Sequence, residues 1–321
     1  DAKYKVFSAK VIWDNEIIGG DFVNTAEFAA RQIQRNDPYL NLDYELVHKN
    51  KFFYGQNFYR AYVKLDPSAS GGFNATVGRQ KVDWGSMRLF SPADLFTPLS
   101  IFQIEKEEKV GVTAANLVLP IGSSLRLNPV YAFDPTFDRS RIGGRLTKTL
   151  GRFDMSALGG KFLRDRMVGF DFTGDVKTMG VRAEATYDWA DIGKNFLQIA
   201  SGIDYGFENS LYVAFEYFFN GQGTNNTATF LPLGPSGAQI RTAHQNFLGL
   251  IMKYDVTPLW TVSLQDITDL NGGSTFLNPE TKYALLSWLE ITGGVQLPMG
   301  KVGGEFATIS NFYYLQTQLF F

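Results

Sequence analysis

The chain offers few groups for catalysis. Only two histidines, His48 and His244, and no cysteine stand among its 321 residues. Neither a His-Glu-x-x-His pair nor a Gly-x-Ser-x-Gly elbow occurs, so a zinc hydrolase site and a nucleophile elbow are both unsupported. His244 is expected to be a solvated histidine at a loop end. The stretch DLNGGS at 269–274 has calcium-like composition without the ligand spacing of a calcium loop, and turn chemistry accounts for it. No catalytic residue, metal or cofactor is expected. A net charge of −2 gives no reason to expect nucleic acid.

The residues that could do physical work are charges on alternating segments. Arg60, Lys64, Arg126, Arg141 and Arg145 fall on the polar face of segments between 57 and 150. Asp171, Glu184, Asp204 and Glu216 fall on the polar face between 166 and 219, with Arg182 as the exception among them. Arg79 breaks its local alternation, and a bulge near Gly78 is expected to turn it to the polar side. If the chain closes on itself, the basic and acidic groups face each other across a water-filled lumen. They would then set up a transverse field that selects among solutes. The alternative is that the same charges pair as salt bridges along the wall.

Period-two alternation is what positions them. Val181, Ala183, Ala185, Tyr187 and Trp189 share one face, and Arg182, Glu184, Thr186 and Asp188 the other. About eighteen such segments are expected, near 4–14, 24–34, 39–48, 57–65, 73–83, 108–119, 125–134, 141–150, 153–163, 166–175, 180–189, 195–206, 211–219, 244–255, 259–268, 281–289, 290–299 and 311–321, with sixteen strands as the alternative. Short connections alternate with longer ones, as in a membrane barrel with short periplasmic turns and longer extracellular loops. A soluble sandwich has no need of that asymmetry, and its strands are usually shorter. Aromatics at strand ends, such as Tyr187, Trp189, Trp260 and Tyr313, fit interfacial girdles. The fold expected is one all-β domain over 1–321, a transmembrane antiparallel up-and-down barrel.

The segment 85–105, GSMRLFSPADLFTPLSIFQIE, is too apolar for an exposed loop. It is expected to fold into the pore as a constriction loop, with Phe90, Asp94 and Phe96 as its working residues. Ser91, Pro92 and Asp94 also read as the start of a short helical turn.

The chain ends on YYLQTQLFF, residues 313–321. Its alternation and final Phe321 resemble the C-terminal assembly signal of Gram-negative outer-membrane β-barrels, although Thr317 departs from the apolar pattern. VGRQKVDWG at 77–85 resembles alginate-export-type porins and related outer-membrane porins. The resemblance implies the bacterial outer membrane, lipid around the barrel and recognition of the last strand by the barrel-assembly machinery. It implies a non-enzymatic channel for passive diffusion of small polar or charged solutes, monomeric or homo-oligomeric. Export of an anionic polysaccharide and a barrel that sheathes a partner protein are the alternatives.

Overall fold

The computed structural model describes residues 2–4, 6–25, 27–29, 39–67, 72–97, 109, 111–225, 240 and 242–320. Among the described residues eighteen strands form one sheet. They are β1 (Ala2–Tyr4), β2 (Phe7–Gly19), β3 (Asp43–Lys49), β4 (Phe52–Leu65), β5 (Asn74–Gln80) and β6 (Val112–Ile121). Next come β7 (Leu125–Ala132), β8 (Arg141–Leu150), β9 (Phe153–Phe162), β10 (Asp165–Val176), β11 (Met179–Trp189) and β12 (Phe196–Gly206). The last are β13 (Leu211–Asn220), β14 (Asn246–Thr257), β15 (Trp260–Asp269), β16 (Ser274–Leu286), β17 (Leu289–Gly300) and β18 (Phe312–Leu319).

All described ladders are antiparallel, and from β4 onward each strand pairs with the next. β2 covers one edge of β4 along its full length. β3 and β5 share the other edge, β3 over Phe52–Asn57 and β5 over Ala61–Leu65. β1 is a three-residue hairpin arm on β2. Because β3 and β5 share one position, the eighteen strands occupy seventeen successive positions.

The expected strand at 24–34 is not seen: 21–24 is a 3₁₀ turn, and 30–34 lies outside the described residues. Nor does a ladder join the last strand to the first; β18 pairs with β17 and the sheet is not closed. Its two ends meet instead through the segment after β2, where Phe22 packs on Phe312 at 5.1 Å and Glu27 accepts the Ser310 N–H at 3.1 Å.

Burial along the strands is inverted relative to a water-soluble protein. Phe170, Phe215 and Leu315 are 46%, 54% and 77% exposed, whereas Asp171, Gln198 and Asn278 are fully buried. A sheet in water would hide the first set and show the second. The buried apolar residues lie on the polar face, where loops cover it. Trp84, Leu95 and Phe96 form one cluster with Phe162 and Met167, and Leu89 and Phe90 form another with Phe218, Phe247, Phe276 and Phe306. Among the described residues no helix is long and apolar enough to cross a membrane.

Candidate functional site: a loop seated on the polar face

After β5 the chain leaves the sheet, and residues 81–97 run without regular structure across the polar face. Such a segment carries backbone N–H groups with no ladder partners, and burying them requires acceptors. Two strand carboxylates provide them. Glu184 on β11 accepts the N–H of Ser86 at 2.6 Å, of Met87 at 2.9 Å and of Ala93 at 2.9 Å, and the Ser91 hydroxyl at 2.9 Å. Glu216 on β13 accepts the N–H of Arg88 at 2.6 Å, Leu89 at 2.9 Å and Phe90 at 3.2 Å.

Apolar contacts complete the seat. The Phe90 ring stacks on Phe218 at 4.9 Å with 6° between planes. Trp84 meets Phe96 edge to face at 4.9 Å and donates from Nε1 to Asn128 at 2.8 Å. Glycines make the room: a Cβ at Gly143 on β8 would lie 2.7 Å from the Trp84 ring, and one at Gly249 on β14 would lie 2.5 Å from Leu89. The loop thus touches β7, β8, β11, β13 and β14.

Asp94 is fully buried at the far end of the segment. It accepts the Thr97 N–H and pairs with Lys109, which also holds Asp83 at 2.6 Å. The expected helix start does not form. Pro92 and Ala93 make a single turn closed by the Asp94 N–H on the Ser91 carbonyl, and the Ser91 hydroxyl serves Glu184 instead of capping. Residues 98–105 of the expected loop lie outside the described residues.

Burial pushes the Asp94 carboxyl up to about 7, against the opposing pull of Lys109. Folded Asp94 therefore keeps a proton that the unfolded chain, with an ordinary value of 3.8, has already lost. Its contribution to stability is full below that ordinary value and declines as pH rises to about 7. Replacing Asp94 with Asn fixes the neutral form. The stability difference between variant and parent, read as urea midpoints of the folded protein, is expected to grow in the variant's favour from acid to neutral pH. A difference that shrinks over that range contradicts the assignment.

The sequence-derived charges fall into several settings. Arg141 donates to the Phe96 carbonyl at 3.1 Å, and Arg60 is buried with Nη1 on the Tyr59 and Lys109 carbonyls at 2.7 and 2.5 Å. Arg141 therefore holds the loop directly, and Arg60 holds Lys109, the ion-pair partner of Asp94. Arg145 pairs with Asp171 at 2.5 Å, and Arg182 with Asp204 at 2.9 Å. Lys64 pairs with Asp66 at 3.1 Å. Arg126 is exposed on a cavity of about 410 Å³ with Lys81, Asp83, Asn128 and Arg145. Arg79 is buried against Asp43 at 3.0 Å, and the expected bulge is absent: the ladder runs through Gly78 without a register shift, although that glycine has φ 121°.

The four acidic residues are thus engaged, two by arginine and two by loop backbone. Arg88 is a residue that alternation could not find. Its guanidinium lies 3.6 Å from Asp204 and 5.0 Å from the Tyr212 ring centre. A polar-face glycine such as Gly143 or Gly249 is the signal that marks where another backbone comes close.

The histidines are far from this arrangement in chemistry. His244 is not solvated: it is fully buried, with Nδ1 2.7 Å from Asp269 and its backbone N–H on Glu305 at 3.1 Å. Ser274 and the Glu305 N–H also bond to Asp269, at 3.1 and 3.0 Å. This network ties 243–244, 269–274 and 305–306 together. Burial pushes the Glu305 carboxyl up, partly opposed by the backbone N–H groups it accepts. His48 is partly exposed and 3.3 Å from Glu45. Among the described residues no group of three metal-ligating side chains is placed to hold an ion.

An all-β, up-and-down antiparallel sheet, apolar outside and carrying an inserted loop on its polar face, has the fold of the outer-membrane β-barrel porins. Solved structures that share it include two from Pseudomonas aeruginosa. Pseudomonas aeruginosa OccK10 (OpdN) matches with a TM-score of 0.55 and 12% identity over 93% of this chain and 95% of that one. Pseudomonas aeruginosa OccD3 (OpdP) matches with 0.51 and 11% over 83% and 78%. No family model and no curated protein matches the sequence. These likenesses lend no support to the alginate-export resemblance.

Proposed function

We propose that the protein is an outer-membrane channel for passive diffusion of small polar or charged solutes. The observation that carries this reading is the inverted burial: a continuous sheet whose apolar face is open and whose polar face is enclosed. In water that arrangement exposes a large apolar surface at a cost. Against hydrocarbon it is the stable one, because antiparallel ladders satisfy the backbone and the outward side chains match the lipid. Porin relatives in fold, OccK10 and OccD3, support the same reading.

In this reading the polar face borders the water path and 81–97 is its constriction, with Phe90, Asp94 and Phe96 holding the loop in place. Arg126 and Lys64 border the path directly. Arg60, Arg79, Arg141, Arg145, Arg182, Asp171, Asp204, Glu184 and Glu216 shape it through the pairs and loop contacts described above. Lipid surrounds the apolar face, and β18, with Tyr313, Leu315 and Leu319 exposed, is the strand offered to the assembly machinery. Ion conduction by the purified protein across a planar bilayer tests the proposal, and a bilayer that stays sealed contradicts it.

A further inference from the structure

Glu184 and Glu216 are only 1% and 4% exposed. A buried carboxylate is tolerated when its oxygens are fully engaged, and its loss of water is otherwise expensive. Here the engagement is one-sided in kind. Neither residue forms an ion pair with a side chain among the bonds described above. Their partners are six backbone N–H groups of 86–93 and the Ser86 and Ser91 hydroxyls. Three of the six, Arg88, Leu89 and Phe90, are consecutive and converge on one carboxylate, which is how a backbone nest holds an anion.

The dependence is mutual. The loop has no ladder to satisfy those N–H groups, and the carboxylates are withdrawn from the surface. The register fixes the spacing: Glu184 lies opposite Ala200 of β12, and Glu216 opposite Gly202 of the same strand. Two anchors with one strand between them therefore take up the loop in turn, Glu184 holding 86–87 and Ala93, and Glu216 holding 88–90.

We infer that Glu184 and Glu216 are positioning residues that seat the constriction segment by backbone capture, rather than charges presented to passing solutes. The inference rests on the channel reading for its consequence, since seating the loop sets the width of the path. The capture itself can be tested without conduction.

Glutamine is the informative substitution. It keeps the shape and one acceptor oxygen, but turns an amide donor toward N–H donors. With no native cysteine in the chain, Ala93→Cys places a single thiol in the seated loop, where Ala93 is fully buried. In otherwise native protein this thiol should resist a water-soluble maleimide. Adding Glu216→Gln or Glu184→Gln should speed labelling by about tenfold or more, as loss of a charged hydrogen-bond acceptor implies. Folded protein is selected by its faster migration in unheated detergent gels. Should either Gln variant fail to fold, Glu216→Asp retains the charge, withdraws the acceptor, and should give intermediate labelling.

Unchanged labelling in folded variants overturns the inference. So does a shift in reversal potential with labelling still slow, which would assign the carboxylates to the solute path. If labelling accelerates but no form of the protein conducts, the seating stands and the channel reading falls.

Discussion

Excising 86–93 and joining Gly85 to Asp94 through a short flexible linker is expected to raise single-channel conductance severalfold. The excised residues are the part of 81–97 that crosses β11, β13 and β14, through Glu184, Glu216, and Leu89 and Phe90 on Gly249 and Phe218, while Trp84 stays on Asn128 and Gly143 at the other side. Chain that crosses the polar face at this level narrows whatever path remains, and conductance is set at the narrowest point. The excision also uncovers two carboxylates. The wider pore should therefore shift toward cations, whereas single Gln substitutions should not produce that shift. A conductance equal to the parent's, in protein that migrates as folded, would mean that the segment lies outside the conducting path.

Replacing Arg145 with Ala is expected to cost about 3–5 kcal/mol of folding stability, the usual result when one partner of a buried ion pair is removed. Asp171 on β10 is fully buried, and the guanidinium of Arg145 on β8 reaches it past β9 at 2.5 Å. Ala at 145 strands that charge. Removing it as well, in Arg145→Ala with Asp171→Ala, should recover most of the loss, because the penalty belongs to the uncompensated carboxylate. Urea unfolding of the two single variants and the double variant gives the coupling directly. Additive losses would show that the pair does not act as a unit.

Much of the sheet was legible because membrane strands alternate strictly. The segments expected at 141–150, 153–163 and 211–219 match Arg141–Leu150, Phe153–Phe162 and Leu211–Asn220 within a residue. Failures have local causes. The expectation of a loop as far as 280 follows from Asn278 and Pro279, yet β16 begins at Ser274. Pro279 is accommodated because it pairs with Leu264 of β15 while the register with β17 passes from Leu277 to Glu280 and leaves it unpaired on that side, so its missing N–H costs no bond to β17. Of the segment expected at 24–34, residues 27–29 are helical, with the Ala29 N–H on the Thr25 carbonyl, and 30–34 lie outside the described residues.

The site was only partly legible. Alternation assigned Glu184 and Glu216 to the polar face and loop composition singled out Phe90, Asp94 and Phe96. What covers a carboxylate is a matter of contacts between residues about a hundred positions apart, such as Ser86 with Glu184. Periodicity carries no record of them. The pairings along the wall were hidden for the same reason: Asp171 is next but one to Arg145 in the sheet, and Asp204 lies beside both Arg182 and Arg88.

Single-channel recording of the purified protein in a planar bilayer under a salt gradient tests conduction most directly. Discrete insertion steps, a stable open level and a measurable reversal potential are expected, all absent from a mock preparation. A folded protein that inserts into lipid yet never passes current, and leaves liposomes unswollen in small polar solutes, would contradict it.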